Sequence, residues 1–185
     1  MYKIIIIIGV AGLIFFAVTA IIYNIIVYHR NKVLRSFSQI DVQLKRRCDL
    51  IEKLISLVKG YIVHESEVLV SLAKARFEAL GARDVLDKQT AETDLTNRLS
   101  SFLIVVEKYP ELKAQEVFRR LFDDIISTEN RIAFSRQFYN DEVTKFNTII
   151  EKFPVNLLAA FIDVKPEELF MITVLSERLV PKLEI

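Results

Sequence analysis

An uncharged apolar segment near the amino terminus constrains the fold more than any other feature of the chain. Residues Ile4 to Tyr28 carry no charged side chain, and Lys3 and His29-Arg30 bound the segment on its two sides. A helix over this segment is roughly 37 Å long, which exceeds the hydrocarbon thickness of a bilayer. The sequence therefore predicts a single-pass transmembrane helix whose partner, over Ile4 to Tyr28, is the lipid bilayer.

A cleavable signal peptide is the alternative for the same segment. Lys3 would form its basic region, and Val18-Thr19-Ala20 resembles a cleavage site. The apolar run continues through Ile21 to Val27, however, beyond that site. We therefore expect the helix to remain as an anchor, followed by a domain over residues 29–170 and a tail over residues 171–185.

Basic residues predict the orientation of the anchor. Before the segment lie only Lys3 and the amino terminus, whereas after it come Arg30, Lys32, Arg35 and Lys45-Arg46-Arg47. Lys and Arg in short flanks prefer the cytoplasmic side, although long domains also translocate irrespective of their flanks. We expect residues 1–28 to form a short outside tail and the span in the plasma (inner) membrane, with the domain in the cytoplasm.

Composition excludes several classes of function. The 25 Lys and Arg balance the 24 Asp and Glu, so no net field attracts nucleic acid, and we expect no nucleic-acid partner. Cys48 is the only cysteine, which rules out an intramolecular disulfide and a Cys-based zinc cluster, and we expect it to be a small buried hydrophobe. Four Gly and four Pro indicate a compact, helix-rich chain.

Apolar residues recur with heptad spacing from Val33 onward. Each of two seams, which are stripes of residues seven apart, predicts coiled-coil-like packing of one long helix ending at Gly81, with a possible kink at Gly60. The first seam is Phe37, Leu44, Ile51, Val58, Glu65, Leu72 and Ala79, and the second is Val33, Ile40, Arg47, Leu54, Tyr61, Val68 and Ala75.

Two further long helices follow. The second is expected from Thr90 to Lys108, and the third from Ala114 to Lys152, with seams through Phe118 to Phe153 and Leu121 to Ile149. Short helices are expected at residues 156–162 and 167–179. The apolar run Leu157 to Ile162 either caps the bundle core, which we favour, or dips into the membrane surface.

The sequence leaves the path of the chain at Pro110 unresolved. A full reversal there requires the first helix to break near Gly60, because the third helix would otherwise overrun it. A mere kink would instead let the second and third helices return together to the membrane, and would place Arg47 level with Glu142 as an ion pair. Both alternatives give an all-α fold, in which a transmembrane helix runs into an up-and-down antiparallel bundle of three to four helices.

Polar residues on the seams are the candidate interaction residues. Arg47, Glu65 and Glu142 interrupt apolar stripes, and they are expected to fix helix register, or alternatively to line a ligand or ion pocket. Tyr139 is expected to have its ring in the core and its hydroxyl bonded, while Asn140 and Asn147 form hydrogen bonds inside the bundle or a recognition strip for another protein. Asp49 is expected on a solvated face.

Catalytic motifs find no support. His64-Glu65 begins like a zinc-protease motif, but the second histidine would have to be Val68. A di-iron carboxylate site fails as well, because residue 61, where its glutamate would stand, is Tyr61. We therefore expect no catalytic residues, no metal and no cofactor.

Ordered short phrases along most of the chain resemble the LemA family of membrane-anchored helical proteins. They are Tyr23-Asn24, Arg30-Asn31, the run from Ser38 to Arg47, Asp49-Leu50-Ile51, Val58 to Tyr61, His64-Glu65, Ala75-Arg76, Glu107, Tyr109-Pro110, Leu112 to Ala114, Glu129 to Ile132, Arg136, Tyr139-Asn140, Asn147, Phe153-Pro154 and Lys165-Pro166. The resemblance implies a single span with a short outside tail and a cytosolic antiparallel helical bundle. The family's molecular activity is not established, so no catalytic residue is carried over.

The chain departs from the family pattern at three places. Glu52-Lys53 follows Ile51 where the family usually has Pro-Asn, which favours a straighter first helix. Cys48 replaces a common aromatic or His, and the tail from Met171 to Ile185 differs from the usual ending.

The sequence favours a non-enzymatic membrane-anchored scaffold that binds other proteins, or further copies of itself as a homo-oligomer. The alternatives are a sensor of a small ligand or ion in the bundle core, and an accessory subunit of a membrane enzyme.

Overall fold

The computed structural model describes residues 1–62 and 65–170, and all regular secondary structure in these residues is helical. The expected all-α fold is confirmed. The described helices are α1 (Tyr2–Val58), α2 (Ser66–Gly81), α3 (Val85–Val106), α4 (Pro110–Ala114), α5 (Glu116–Glu151) and α6 (Val155–Phe161).

The chain forms two compact units, and α1 and α5 each run through both of them. The anchor unit comprises Met1–Ser38 and Gln137–Leu169. The bundle unit comprises Gln39–Arg136 together with, among the described residues, Phe170.

Four helices pack side by side in the bundle unit. They are the part of α1 after Gln39, then α2, α3 and the part of α5 up to Arg136. Short connections make successive long helices antiparallel. The heptad positions explain the core, whose fully buried side chains include Ile51, Leu54, Leu72, Leu95 and Phe102.

The expectation of one helix from the anchor to Gly81 is wrong, because α1 ends at Val58 and α2 begins at Ser66. Gly60 lies between them, where its low helix propensity makes an interruption inexpensive. Folding back lets α2 bury Leu69, Leu72 and Ala75 instead of extending away from the core. The second-seam residue Tyr61, outside the helix, is 42 % exposed.

Pro110 belongs to a full reversal of the chain. Helix α3 ends at Val106, Pro110 opens the single turn of α4, and α5 starts at Glu116. Arg47 binds both Glu92 and Glu129, which flank Pro110 at nearly equal separations along the chain. Of the two alternatives, the reversal combined with a break near Gly60 is therefore the correct one. Helix α1 is continuous through Glu52-Lys53, where the family usually has Pro-Asn.

In the anchor unit, α1 packs against the end of α5. From Ile22 onward α1 buries one stripe, Ile22, Ile26, Val33 and Ser36, whereas the residues before Ile22, apart from the half-buried Thr19, are exposed. Helix α5 contributes buried Tyr139, Val143, Phe146 and Ile150. By length and composition, α1 is a helix that can cross a membrane.

The segment after α5 bears on two expectations, the position of the apolar run Leu157 to Ile162 and the helix over residues 167–179. A short helix is confirmed as α6, but the apolar run does not cap the core: Leu157 is 65 % and Phe161 86 % exposed, and only Ala159 is buried. Residues 167–170 have no regular secondary structure, so the helix expected over 167–179 does not start there, and its remainder lies outside the described residues.

Replacing Phe102 by Ala is expected to destabilise the bundle unit by about 3–5 kcal/mol, because the ring is buried and its removal leaves a cavity. The ring is fully buried in the native chain. The matched control is Phe77→Ala, which truncates a ring that is 75 % exposed. This control should change stability by about 0.5 kcal/mol or less, as surface substitutions do. Denaturant unfolding of the full chain in detergent, followed by circular dichroism, measures both, and equal effects would contradict the packing described.

Candidate functional site

A buried arginine lies at the centre of the bundle unit. The heptad places Arg47 on the α1 seam between Ile40 and Leu54, and its side chain is only 2 % exposed. One guanidinium nitrogen lies 2.8 Å from Glu92 Oε2 on α3, and the other lies 3.0 Å from Glu129 Oε2 on α5. Arg47 therefore links three of the four helices.

Thr96 completes the geometry around Arg47. Its hydroxyl oxygen accepts a hydrogen bond of 3.0 Å from the Arg47 guanidinium and donates one of 2.8 Å to the carbonyl of Glu92, one turn earlier on α3. The hydroxyl is thereby held in one orientation. The planar guanidinium matches this fixed set of acceptors better than an ammonium group would.

A second arginine contributes to the charge balance. Arg136 on α5 lies 4.8 Å from the centre of the Phe170 ring, and its charge interacts with those of Glu92 and Glu129. Burial lowers the pKa of Arg136 and raises the pKa of Glu92, while the charge and hydrogen bond of Arg47 oppose the rise at Glu92. Two arginines thus face two glutamates, and the cluster has no net charge.

A separate contact holds α2 to α1. Arg76 donates a 2.8 Å hydrogen bond to the carbonyl of Cys48 and pairs with Glu52. Cys48 is 1 % exposed, as expected of a small buried hydrophobe, and burial raises the pKa of its thiol to about 11. The thiolate population at neutral pH is therefore very small, which makes this cysteine chemically inert.

The other candidate residues of the bundle unit lie elsewhere. Glu65 precedes α2 and pairs with Lys108 at 3.0 Å, so it does not share a site with Arg47. Asp49 is exposed on the solvated face of α1. His64 lies outside the described residues.

Two candidate residues of the anchor unit, Tyr139 and Asn147, form hydrogen bonds with residues 167–168. Tyr139 is buried, and its hydroxyl donates a 2.8 Å hydrogen bond to the Glu168 carbonyl. Asn147 donates to the Glu167 carbonyl at 3.0 Å and accepts from the Glu167 amide at 2.9 Å, while Asn140 is half-buried. Burial raises the pKa of Tyr139 to about 12, and nearby Glu167 and Glu168 contribute. Tyr139 and Asn147 thus fasten this segment to α5.

The ion pair between Arg47 and Glu142 was the consequence of only one of the two alternatives at Pro110, the kinked path. Arg47 binds Glu92 and Glu129 instead, whereas Glu142 belongs to the anchor unit and pairs with Lys145 at 2.9 Å. These partners agree with the reversal and not with the kinked path.

Sequence reasoning missed Glu92, Thr96, Glu129 and Arg136 as site residues. The signal for Glu92 was present, because it lies three residues before Leu95 and seven before Leu99, on the apolar face of its helix. Glu129 and Arg136 are likewise seven apart on α5. Their contacts with Arg47 and Glu92 join helices distant in sequence, which no local pattern reveals.

Two surface clefts of the bundle unit, both lined by described residues, lie away from this cluster. One of about 290 Å³ lies between α1 and residues 79–88, and another of about 270 Å³ lies between α2 and α3. Neither is lined by Arg47, Glu92 or Glu129. Within residues 1–62 and 65–170, no three His, Cys, Asp or Glu side chains are grouped to hold a metal ion.

Replacing Arg47 by Met is expected to cost about 3–5 kcal/mol of stability, because it leaves Glu92 buried without its cation. The double variant Arg47→Met with Glu92→Met should recover at least half of that loss, since Glu129 is 45 % exposed and can be hydrated. The matched control is Arg46→Met, at an exposed neighbouring position. It should change stability by about 0.5 kcal/mol or less. Denaturant unfolding measures all three, and an unrelieved double variant would refute the pairing.

Comparisons with known proteins identify relatives over most of the chain. Magnetosome protein MamQ 2 of Paramagnetospirillum magneticum is 24 % identical, over 89 % of this chain and 70 % of its own. Magnetosome protein MamQ of Magnetospirillum gryphiswaldense is 23 % identical, over 88 % and 70 %. Protein LemA of Metamycoplasma hominis is 29 % identical, over 82 % and 74 %. The LemA family pattern matches residues 36–184, which is most of the chain. The chain is a membrane-associated protein that belongs to the LemA family.

Proposed function

We propose that this protein is a non-enzymatic, membrane-anchored scaffold that binds other proteins. The observation that carries the proposal is the continuity of α1 from Tyr2 to Val58, which joins the apolar segment to the core of the bundle unit within one helix. The apolar segment and the core-forming residues Ile51 and Leu54 are therefore parts of one helix, with no Gly/Ser-rich or Pro-rich linker between them. Direct attachment of this kind suits a protein that presents binding surfaces at the membrane.

The Arg47 cluster supports the same proposal. Its charges are matched inside the bundle unit and link α1, α3 and α5, which is how buried polar residues specify helix register. The relatives reported above carry no enzyme names, and two of them are named as magnetosome proteins.

Exposed apolar side chains offer contact surfaces. Val70 and Phe77, seven residues apart on α2, are 67 % and 75 % exposed, and Phe134 on α5 is 72 % exposed. Large apolar residues that recur on one outer helix face favour protein binding. A second copy of the chain is one partner that these surfaces would suit.

We infer further that the bundle unit lies on the cytoplasmic side of the plasma membrane. The support is the excess of Lys and Arg just after the span. Tyr2 would then lie outside and Lys59 inside.

A membrane-impermeant maleimide is expected to label Tyr2→Cys in cells with an intact plasma membrane, and Lys59→Cys only after permeabilisation. Both positions are exposed, so each new thiol is accessible. The unmodified chain should stay unlabelled in both conditions, because Cys48 is buried with a pKa of about 11. Labelling in the reverse order would place the bundle unit outside.

Photo-crosslinking in intact cells tests the scaffold itself. A benzophenone amino acid at Phe77 or Phe134 replaces an exposed ring with another and should form adducts with specific proteins, identified by mass spectrometry. The matched control places it at Phe15, which is 75 % exposed within the apolar segment and should react with lipid. A ladder of multimers would indicate a self-assembling scaffold, and one membrane enzyme in fixed ratio would indicate an accessory subunit. Catalytic turnover by the purified chain would refute the proposal.

A sensor of a small ligand or ion is the second candidate. Arg47 Nε and Glu92 Oε1 are buried and have no hydrogen-bond partner among the described residues, so the cluster retains polar capacity. A stabilising thermal shift on adding a ligand, lost in Glu92→Met with Arg47→Met but kept in Glu65→Ala, would favour this candidate. The reverse dependence would instead place the site near Glu65.

A further inference from the structure

Protein packing begins inside the apolar segment. On α1 the first buried side chains are Ile22 and Ile26, at 9 % and 2 % exposure, although the uncharged segment extends to Tyr28. Ile22 lies six residues before Tyr28, which is about 9 Å along a helix. Some part of residues 137–169, the other segment of the anchor unit, therefore covers α1 at a depth that belongs to the bilayer.

The register between α1 and α5 identifies that part. The rings of Phe37 and Tyr139 lie 5.6 Å apart, and the charges of His29 and Glu142 interact, so the two helices run antiparallel. Glu151, at the end of α5, lies twelve residues after Tyr139, and Ile25 lies twelve residues before Phe37. Because both helices rise equally per residue, α5 ends level with Ile25. Helix α6 follows at this level.

The outer face of α6 is apolar and exposed. Phe153 just before it, Leu157 and Phe161 are spaced by four residues and are 79 %, 65 % and 86 % exposed, whereas Ala159 on the opposite face is 4 % exposed. Lys152 and Lys165, both exposed, flank the segment. Apolar residues on one face with lysines at the ends are typical of a helix that lies in the bilayer interface.

We propose that α6 is a second membrane contact, lying in the interface beside the span with Phe153, Leu157 and Phe161 among the acyl chains. Lipid is the occupant that the register favours, because α6 follows α5 at the level of Ile25, whose side chain is exposed within the uncharged segment of α1. Tyr23 and Tyr28 on α1, both about half exposed, mark the same interfacial zone. This inference rests on the anchoring of α1 and goes beyond it.

Single-tryptophan variants of the full chain test this contact. The chain contains no Trp, so Phe161→Trp and Leu157→Trp each introduce a unique fluorophore at an exposed site that tolerates the change. In phosphatidylcholine vesicles, each should show blue-shifted emission, and brominated acyl chains should quench it by more than about half, as expected for rings that lie about 5–10 Å below the headgroups. Aqueous iodide should quench it little.

Two matched variants separate failure of the contact from failure of the anchor. Phe15→Trp, in the apolar segment, should be quenched by brominated lipid, and Phe77→Trp, on α2 next to Arg76, should be quenched by iodide alone. Quenching at position 15 but not at 157 or 161 would overturn the inference and leave the anchor intact. Blue-shifted emission at 161 without lipid quenching would mean that protein covers the face, and would also overturn it. No lipid quenching at position 15 would overturn both.

Discussion

The ion pairs of Arg47 are the interaction on which the bundle unit depends most. An almost fully buried guanidinium is costly to dehydrate, and only carboxylates at the correct height on α3 and α5 offset that cost. Apolar seams tolerate a shift of one heptad, because Leu or Ile meets a similar neighbour after seven residues. A shifted register would leave Arg47 and Glu92 buried without each other. We infer that the cluster favours one register among several that the apolar core would accept.

Most of the helical content could be predicted from the sequence, but the break in the first helix could not. The heptad continues from Val58 into Leu72 and Ala75 whether or not the chain turns between them, because each helix of an antiparallel bundle presents the same repeat to the core. Gly60 was a sequence signal for an interruption of the helix. A glycine inside a helix costs about 1 kcal/mol of stability, which is compatible with either a kink or a turn. The turn is favoured because it buries α2 against α1 and α3. This burial stabilises the chain through contacts between residues distant in sequence, which no local sequence pattern reveals.

The candidate site was predictable for residues whose partners are close in sequence or lie on the backbone. Tyr139 followed from its seam position, and the hydrogen bonds of Asn147 to residue 167 agree with the expected internal role. The partners of Arg47 were not predictable, since choosing Glu92 and Glu129 over Glu142 required knowing which helices reverse. The prediction that Leu157 and Phe161 cap the bundle core was wrong for another reason. An apolar run indicates that its side chains avoid water, but it does not distinguish a protein core from lipid.

The same ambiguity applies within the anchor unit, where the apolar segment overlaps with residues that pack against protein. Helix α1 has no buried side chain before Ile22 and buries one stripe of side chains after it, while its apolar segment continues to Tyr28. Within residues 21–28, Ile22 and Ile26 are therefore buried against protein, whereas Ile21 and Ile25 are exposed. A fragment that begins after Tyr28 would lack Ile22 and Ile26. The side chains that pack against these two residues would then be exposed to water. The packed contact between α1 and the second segment of the anchor unit thus begins inside the apolar segment, so neither the length nor the composition of that segment marks where protein packing starts.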